Sequence, residues 1–196
     1  MTGSAHRAHS CRAVFVGGSA GAFDALRFLL ASLPRSMLTP VVAVIHLPPG
    51  SSRLAEVLQG RCSRPVEMAV DKQPLKAGSV ILAPADYHLL VDDGPRLALS
   101  VDPPVHHARP SIDVLLQSGA RVLGAGAAGV ILSGASEDGA LGLAAIARVG
   151  GVALVQDPAE AAFATMPRAA IRQCPHAAIS GLAGIASALA LAQETL

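Results

Sequence analysis

Short apolar runs alternate with amphipathic stretches along most of this chain. The apolar runs are rich in Val, Ile and Ala, which is typical of strands, whereas the amphipathic stretches have the spacing of helices. The predicted strands are residues 13–16, 41–45, 66–70, 79–83, 129–133 and 151–156, and the predicted helices are residues 21–33, 52–62, 110–124, 138–149, 167–173 and 182–193. The pattern therefore predicts a repeated strand–helix order.

The predicted strands carry few polar residues, as the run VVAVI at 41–45 illustrates. A strand without polar alternation is buried on both faces, which is typical of parallel sheets covered by helices. We therefore expect an α/β fold, with a doubly wound, mostly parallel sheet and helices on both faces. Residues 87–101 differ, because two alternating runs flank Asp93-Gly94. This segment predicts an antiparallel β-hairpin at one edge or end of the sheet.

Composition and charge narrow the class of protein. The chain has 196 residues, 52% of them hydrophobic, and a formal net charge of +1. This is enough apolar material for one domain, and no basic stripe indicates a nucleic-acid partner. We expect a flexible, polar tail over residues 1–11 and a single domain over residues 12–196. The apolar stretch at 179–192 is too short and too rich in glycine to span a bilayer.

Targeting and redox signals point to the cytoplasm. The N-terminal segment MTGSAHRAHSCR has no apolar core of a signal peptide. The three cysteines have no CxxC spacing and are expected to be small buried residues in a reducing compartment. The sequence therefore predicts a cytoplasmic protein without membrane insertion.

Three chemically useful side chains follow three different predicted strands. Ser19 follows the first strand, His46 the second, and Asp138 lies in the loop after the strand at 129–133. Because parallel strands present their carboxyl ends at one edge of a sheet, these side chains are expected to meet there. A serine nucleophile, a histidine base and an aspartate that orients the histidine form a hydrolytic triad.

Each of these residues also fits a structural role. The segment Gly17-Gly18-Ser19-Ala20-Gly21 matches G-x-S-x-G, in which a tight turn exposes a nucleophile, yet a plain turn has the same composition. A lone histidine after a strand is usually structural, and Asp138 before a glycine is typical of a helix N-cap. Their shared edge favours the triad, because structural roles alone do not predict it.

Cofactor and metal sites are not expected. The glycine-rich turn lacks the second glycine of G-x-G-x-x-G, no acidic residue follows the second strand, and a Walker lysine is missing. Seven histidines are present, but no HExxH motif or Cys/His cluster occurs, and the side chains of adjacent His106 and His107 are expected to diverge. We therefore predict neither a nucleotide cofactor nor a metal.

Six ordered segments resemble the protein-glutamate methylesterases of bacterial chemotaxis, the CheB catalytic domain, over residues 12–190. They are VGGSAGAFDALRFLLASLP, VIHLPPGSSRLAEVL, LKAGSVILAPADYHLLV, PPVHHARPSIDVLLQSGA, GVILSGASEDGALGLAAI and GGVALVQDPAEAAFATMPRAAI. The resemblance implies a doubly wound domain with Ser19 as nucleophile, His46 as base and Asp138 as acid. This order differs from that of α/β-hydrolases, in which the acid precedes the histidine.

The resemblance also implies the reaction, which is hydrolysis of glutamate γ-methyl esters on chemoreceptors, with glutamine deamidation by the same machinery. Backbone N–H groups near Ala20 and Ala135 are expected to hold the oxyanion, and Arg109 and Met166 to contact the substrate. Relatives often have a threonine directly after the nucleophile and Met-Gly-Asn before the acid. This chain has Ala20 and Ala135-Ser136-Glu137 there, which bears on rate and substrate fit.

Partners follow from the same resemblance. They are a methylated chemoreceptor or another methylated signalling protein, and a methyltransferase or a sensor kinase. Relatives often carry a receiver domain before the catalytic one, and a stand-alone catalytic domain is expected here. Two alternatives stay open: a weakly active or inert signalling or adaptor module, and a serine esterase for other substrates.

Overall fold

The fold is that of a computed structural model, which describes residues 11–46, 54–60 and 62–194. Its strands are β1 Ala13–Gly18, β2 Val41–Ile45, β3 Val66–Met68, β4 Val80–Leu82, β5 His88–Asp92, β6 Arg96–Ser100, β7 Ala127–Ile131, β8 Val152–Gln156 and β9 Ala178–Ser180. Seven of them form a parallel sheet in the order β3-β4-β2-β1-β7-β8-β9. The central strand β1 is fully buried, as its continuous apolar run predicts.

Helices cover both faces of this sheet. They are α1 Ala22–Ser32, α2 Leu54–Gln59, α3 Ile112–Leu123, α4 Ala140–Arg148, α5 Thr165–Gln173 and α6 Leu182–Glu194. Two separate clusters of buried side chains form the core. One joins α1 and α6 to the sheet through residues such as Leu26 and Ile185, and the other joins α3 and α4 through Leu116 and Leu143. The doubly wound α/β prediction is confirmed.

The predicted hairpin forms, but it lies apart from the main sheet. Strands β5 and β6 pair in antiparallel fashion as a two-stranded sheet of their own. Leu89, Val91 and Leu97 share a buried cluster with α3, and the hydroxyl of Ser118 in α3 accepts the N–H of Val91 at 3.0 Å. The hairpin therefore covers α3 instead of extending an edge of the parallel sheet.

Two further features differ from the sequence prediction or lie beyond it. Strand β9 was not predicted, because three residues between two helices, two of them exposed, carry little periodic signal. The predicted tail lies outside the described residues except for Cys11, as does the segment 47–53 after His46. Among the helices that the structure describes, none is long and apolar enough to cross a membrane.

Candidate active site

The three predicted triad residues lie after three adjacent strands. Strand β1 lies between β2 and β7, with Gly18 opposite Ile45 and Gly17 opposite Ile131. Ser19 directly follows β1, and the N–H of His46, which directly follows β2, donates to the Gly18 carbonyl at 2.9 Å. The loop after β7 carries Asp138. The three residues therefore lie at the carboxyl edge of the sheet.

His46 and Asp138 form a close pair. Nε2 of His46 lies 3.0 Å from Oδ2 of Asp138. The two atoms are in close contact, but the ring N–H is not aligned well enough with the carboxylate for a hydrogen bond. The Asp138 side chain is 0% exposed and the His46 side chain 16%. The hydroxyl of Ser19 makes no hydrogen bond to any residue that the structure describes, and such contacts often tighten only when substrate binds.

The start of α3 holds the Asp138 carboxylate. Oδ1 accepts the Ser111 hydroxyl at 2.8 Å and the Asp113 N–H at 3.0 Å, and Oδ2 accepts the Ile112 N–H at 2.7 Å. The first N–H groups of a helix have no partner within the helix and favour a negative charge. Burial would raise the pKa of Asp138, but the contact with His46 and these three hydrogen bonds hold that pKa below its usual value. Asp138 is therefore a buried, ionised acid.

Gly17 allows α3 to approach this closely. A Cβ atom at Gly17 would collide with Cγ2 of Ile112, and one at Gly139 would lie 2.6 Å from the same atom. Ile112 is the residue whose N–H reaches Asp138. The first glycine of the G-x-S-x-G segment therefore makes room for the helix that holds the acid, and its role is packing, not phosphate binding.

Ser133 clamps the turn that carries the proposed nucleophile. It follows Leu132, two residues after the end of β7. Its carbonyl accepts the Ser19 N–H at 3.0 Å, and its hydroxyl donates to the Ala20 carbonyl at 2.7 Å. The same hydroxyl accepts the Phe163 N–H at 2.9 Å, and the Ser133 N–H donates to Oε1 of buried Gln156 at 2.8 Å. The turn after β1 is thus fixed to the loops after β7 and β8.

Backbone N–H groups are free at the two predicted oxyanion positions. The N–H groups of Ala20 and Ala135 donate no hydrogen bond to any described residue. Gly21, which is the N-cap of α1, has a φ of 73°, a left-handed conformation that favours glycine. This turn leads the chain from β1 into α1 and leaves the Ala20 amide available to a ligand.

The two residues predicted to contact substrate, Arg109 and Met166, both make contacts within the protein. Nη1 of Arg109 donates to the carbonyls of Val101 and Asp102 at 2.8 and 3.1 Å. Met166 is 1% exposed, its N–H donates to the Gly134 carbonyl at 2.9 Å, and its side chain packs against Gly134. Their contact with substrate stays a prediction.

Sequence reasoning missed the residues that position the predicted triad. Ser111 was recognised only as a helix start, yet its hydroxyl bonds Asp138 and not its own helix. Ser133 lies two residues after β7 and Gln156 is the last residue of β8, so both are among the polar residues at strand ends where a site is expected. Asp113 had no signal of its own, since an acid in the first turn of a helix is common.

Comparisons with known proteins identify the family of this chain. The family model of the CheB methylesterase matches residues 14–189. A relative from Leptospira interrogans is 39% identical over 160 residues, which cover 81% of this chain and 83% of the relative. A protein-glutamate methylesterase/protein-glutamine glutaminase from Symbiobacterium thermophilum is 38% identical over 82% of this chain, which spans only 44% of that relative.

A solved structure gives the same result for the fold. The crystal structure of the Thermotoga maritima CheB methylesterase catalytic domain superposes with a TM-score of 0.87 at 27% sequence identity. The match covers 93% of this chain and 99% of that one. The chain therefore belongs to the CheB methylesterase family of ester hydrolases.

Proposed function

We propose that this protein hydrolyses the γ-methyl esters of glutamate side chains on chemoreceptors, and that it deamidates glutamine at such sites. Family membership and the names of relatives such as that from Symbiobacterium thermophilum support the reaction. The observation that carries the proposal is the pairing of His46 with a buried, ionised Asp138 beside the turn of Ser19. That arrangement is the one that a serine hydrolase needs.

Proton transfer starts the reaction. In this ring orientation Nε2 of His46 faces Asp138, so Nδ1 is the nitrogen that accepts the proton of the Ser19 hydroxyl. Ser19 Oγ then forms a bond to the carbonyl carbon of the ester, whose π electrons move to oxygen. Asp138 keeps the ring oriented and stabilises the positive charge that it gains.

The oxyanion is held by backbone donors. The free N–H groups of Ala20 and Ala135 are the candidates, because both lie in loops at the carboxyl edge of the sheet. When the intermediate collapses, the bond to methoxide breaks and His46 returns the proton, which releases methanol. Water then attacks the Ser19 ester, His46 again takes and returns a proton, and the glutamate carboxylate leaves. With glutamine as substrate, the leaving group is ammonia.

The turnover assay that tests the proposal is methanol release from a methylated chemoreceptor. The wild type is compared with Ser19→Ala, which removes the nucleophile, and with Ser32→Ala, which removes an exposed hydroxyl at the end of α1. We expect Ser19→Ala to lose at least about 10³-fold in rate and Ser32→Ala to match the wild type. Equal release by Ser19→Ala and wild type would exclude Ser19 as the nucleophile.

Binding assays address the partners. Co-purification with a methyltransferase or a sensor kinase would support the predicted signalling partners. Binding of either one without any methanol release would instead favour an inert adaptor module. Faster hydrolysis of a small chromogenic ester than of receptor peptide would favour a general serine esterase.

A further inference from the structure

A second buried carboxylate lies directly behind the proposed catalytic acid. Asp113, in the first turn of α3, is 2% exposed. Its Oδ1 accepts the N–H of Gly142 in α4 at 2.7 Å. Its Oδ2 is buried and accepts no hydrogen bond, and the contact that it makes is with Nε2 of His106 at 3.2 Å. A buried carboxylate oxygen without a hydrogen bond is rare and calls for a balancing charge.

Asp113 and Asp138 form a pair of like charges. One ring nitrogen of His106 and one carboxylate oxygen from each of the two aspartates lie within 4.8 Å of one another. Burial raises the pKa of Asp113, and the charge of Asp138 raises it further, whereas His106 and the backbone N–H groups of Gly142 and Gly139 lower it. Among the described residues, His106 and Asp138 are the titratable groups that face Asp113, and His46 in turn contacts Asp138.

The cluster has the residue types of a metal site, but both carboxylate oxygens of Asp138 already have partners. Oδ1 of Asp138 already accepts two hydrogen bonds, from Ser111 and Asp113, and Oδ2 accepts the Ile112 N–H and contacts His46. A carboxylate oxygen has two lone pairs. A metal would have to displace one of these partners, so an ion pair explains the arrangement better.

His106 is held in place for this contact. His106 and His107 have φ angles of 50° and 60°, in the left-handed region, which is costly for residues other than glycine and persists only where the surroundings enforce it. Val105 and Ala108 enforce it by pairing across the two histidines. His106 turns inward to Asp113, while its own side chain stays 43% exposed and open to protons from solvent.

We propose that protonated His106 balances the negative charge of Asp113. This balance limits the negative electrostatic potential at His46, so that the ring stays neutral and can act as a base. The proposal rests on the Ser-His-Asp function above. His106 and Asp113 are positioning residues that act through Asp138. Without the positive charge of His106, the negative charge of Asp113 adds to that of Asp138. The combined field then favours the protonated ring of His46, which cannot accept the proton of Ser19.

The proposal predicts the direction in which the pH profile of activity moves when His106 is replaced. The pH profile of kcat/KM is measured for the wild type, for His106→Asn, and for the matched control His107→Asn, because asparagine tolerates the left-handed backbone at both positions. We expect the acid limb of the His106→Asn profile to move up by about one pH unit, with the plateau at high pH retained. The limb of His107→Asn is expected to stay in place.

A rescue variant separates charge from structure. Asp113→Asn removes the negative charge and retains an oxygen for the N–H of Gly142. In the double variant His106→Asn/Asp113→Asn we expect the acid limb to return to its wild-type position. Loss of activity at every pH without a shift, or failure of the rescue, would show a merely structural role and overturn the proposal.

Two readouts do not depend on turnover. NMR titration of the His46 ring in Ser19→Ala protein is expected to show the same upward shift with His106→Asn, even if methyl esters are not the substrate. An inactive wild type would thus refute the proposed function alone, whereas an unmoved His46 titration would refute the charge balance. Calorimetric titration with Zn²⁺ is expected to show no binding at this cluster. Zn²⁺ binding by the wild type that is lost in His106→Asn would instead make the cluster a metal site.

Discussion

The backbone N–H of Ile112 donates to the Asp138 carboxylate at 2.7 Å, so a helix that precedes β7 in the chain holds the acid that follows β7. The hydroxyl of Ser111 and the N–H of Asp113 donate to the same carboxylate. The proposed acid is thus fixed by an anion site at the start of a helix, and its orientation toward His46 follows from helix packing.

Asp138→Asn tests the hydrogen bonds that the start of α3 makes to this carboxylate. An amide can replace only one of the two carboxylate oxygens as an acceptor, so at least one donor at the start of α3 would lose its partner. We expect kcat to fall by about 10³–10⁴-fold and the free energy of unfolding by roughly 3 kcal/mol. Methanol release and urea unfolding measure the two effects. Asp24→Asn, at an exposed acid on α1, is the control and is expected to change neither.

The pH dependence of stability is expected to separate the two buried aspartates. The pKa of Asp138 is lowered in the folded protein, so its stabilisation is present above the unfolded pKa of about 3.9 and is lost as the pH falls. The pKa of Asp113 is raised, so ionisation of Asp113 costs stability as the pH rises from the unfolded pKa through the folded one.

Urea unfolding between about pH 3 and pH 7 measures this difference against the two Asn variants. The stability advantage of the wild type over Asp138→Asn is expected to shrink on acidification. The stability of Asp113→Asn relative to the wild type is expected to grow as the pH rises. If the unfolding free energies of all three proteins changed with pH in parallel, the lowered pKa of Asp138 and the raised pKa of Asp113 would be contradicted.

Ser133→Ala tests the clamp on the nucleophile turn. The variant leaves the Ala20 carbonyl and the Phe163 N–H without their hydroxyl partner. We expect a loss of about 1–3 kcal/mol in unfolding free energy and a fall of about 10-fold in kcat with little change in KM, because the turn and not the binding surface is disturbed. Ser187→Ala, which removes an exposed hydroxyl in α6, serves as control. A rise in KM alone would contradict a positioning role.

Much of this arrangement could be predicted from sequence because it depends on periodicity and topology. Ser19, His46 and Asp138 follow buried strands, and parallel pairing alone brings such positions to one edge. The contacts of Ser111 and Asp113 with Asp138 could not be predicted, since they depend on how closely α3 packs on β1. Gly17 belongs to the segment predicted to be a special turn, but it lies within β1, and its physical role, space for Ile112, is a tertiary one.

Gly17→Ala tests that tertiary role. The added methyl group would collide with Ile112, and overpacking of a buried site usually costs about 1–3 kcal/mol. We also expect activity to fall, because a shift of Ile112 moves a donor away from Asp138. Gly60→Ala is the matched control, since the nearest atom to its new methyl group would be 3.8 Å away. If Gly17→Ala were as stable and active as Gly60→Ala, close approach of α3 would not be needed.

Ala20→Thr tests whether a missing hydroxyl limits the rate. Ala20 follows the proposed nucleophile directly, and its free N–H is a proposed oxyanion donor. A threonine hydroxyl there would add a second donor from the same residue, and a hydrogen bond to a developing negative charge lowers the barrier. We expect kcat to rise by about 10-fold. Ala20→Val has nearly the same shape without the hydroxyl, so an equal rise in both variants, measured as methanol release, would assign the gain to packing and refute an oxyanion role.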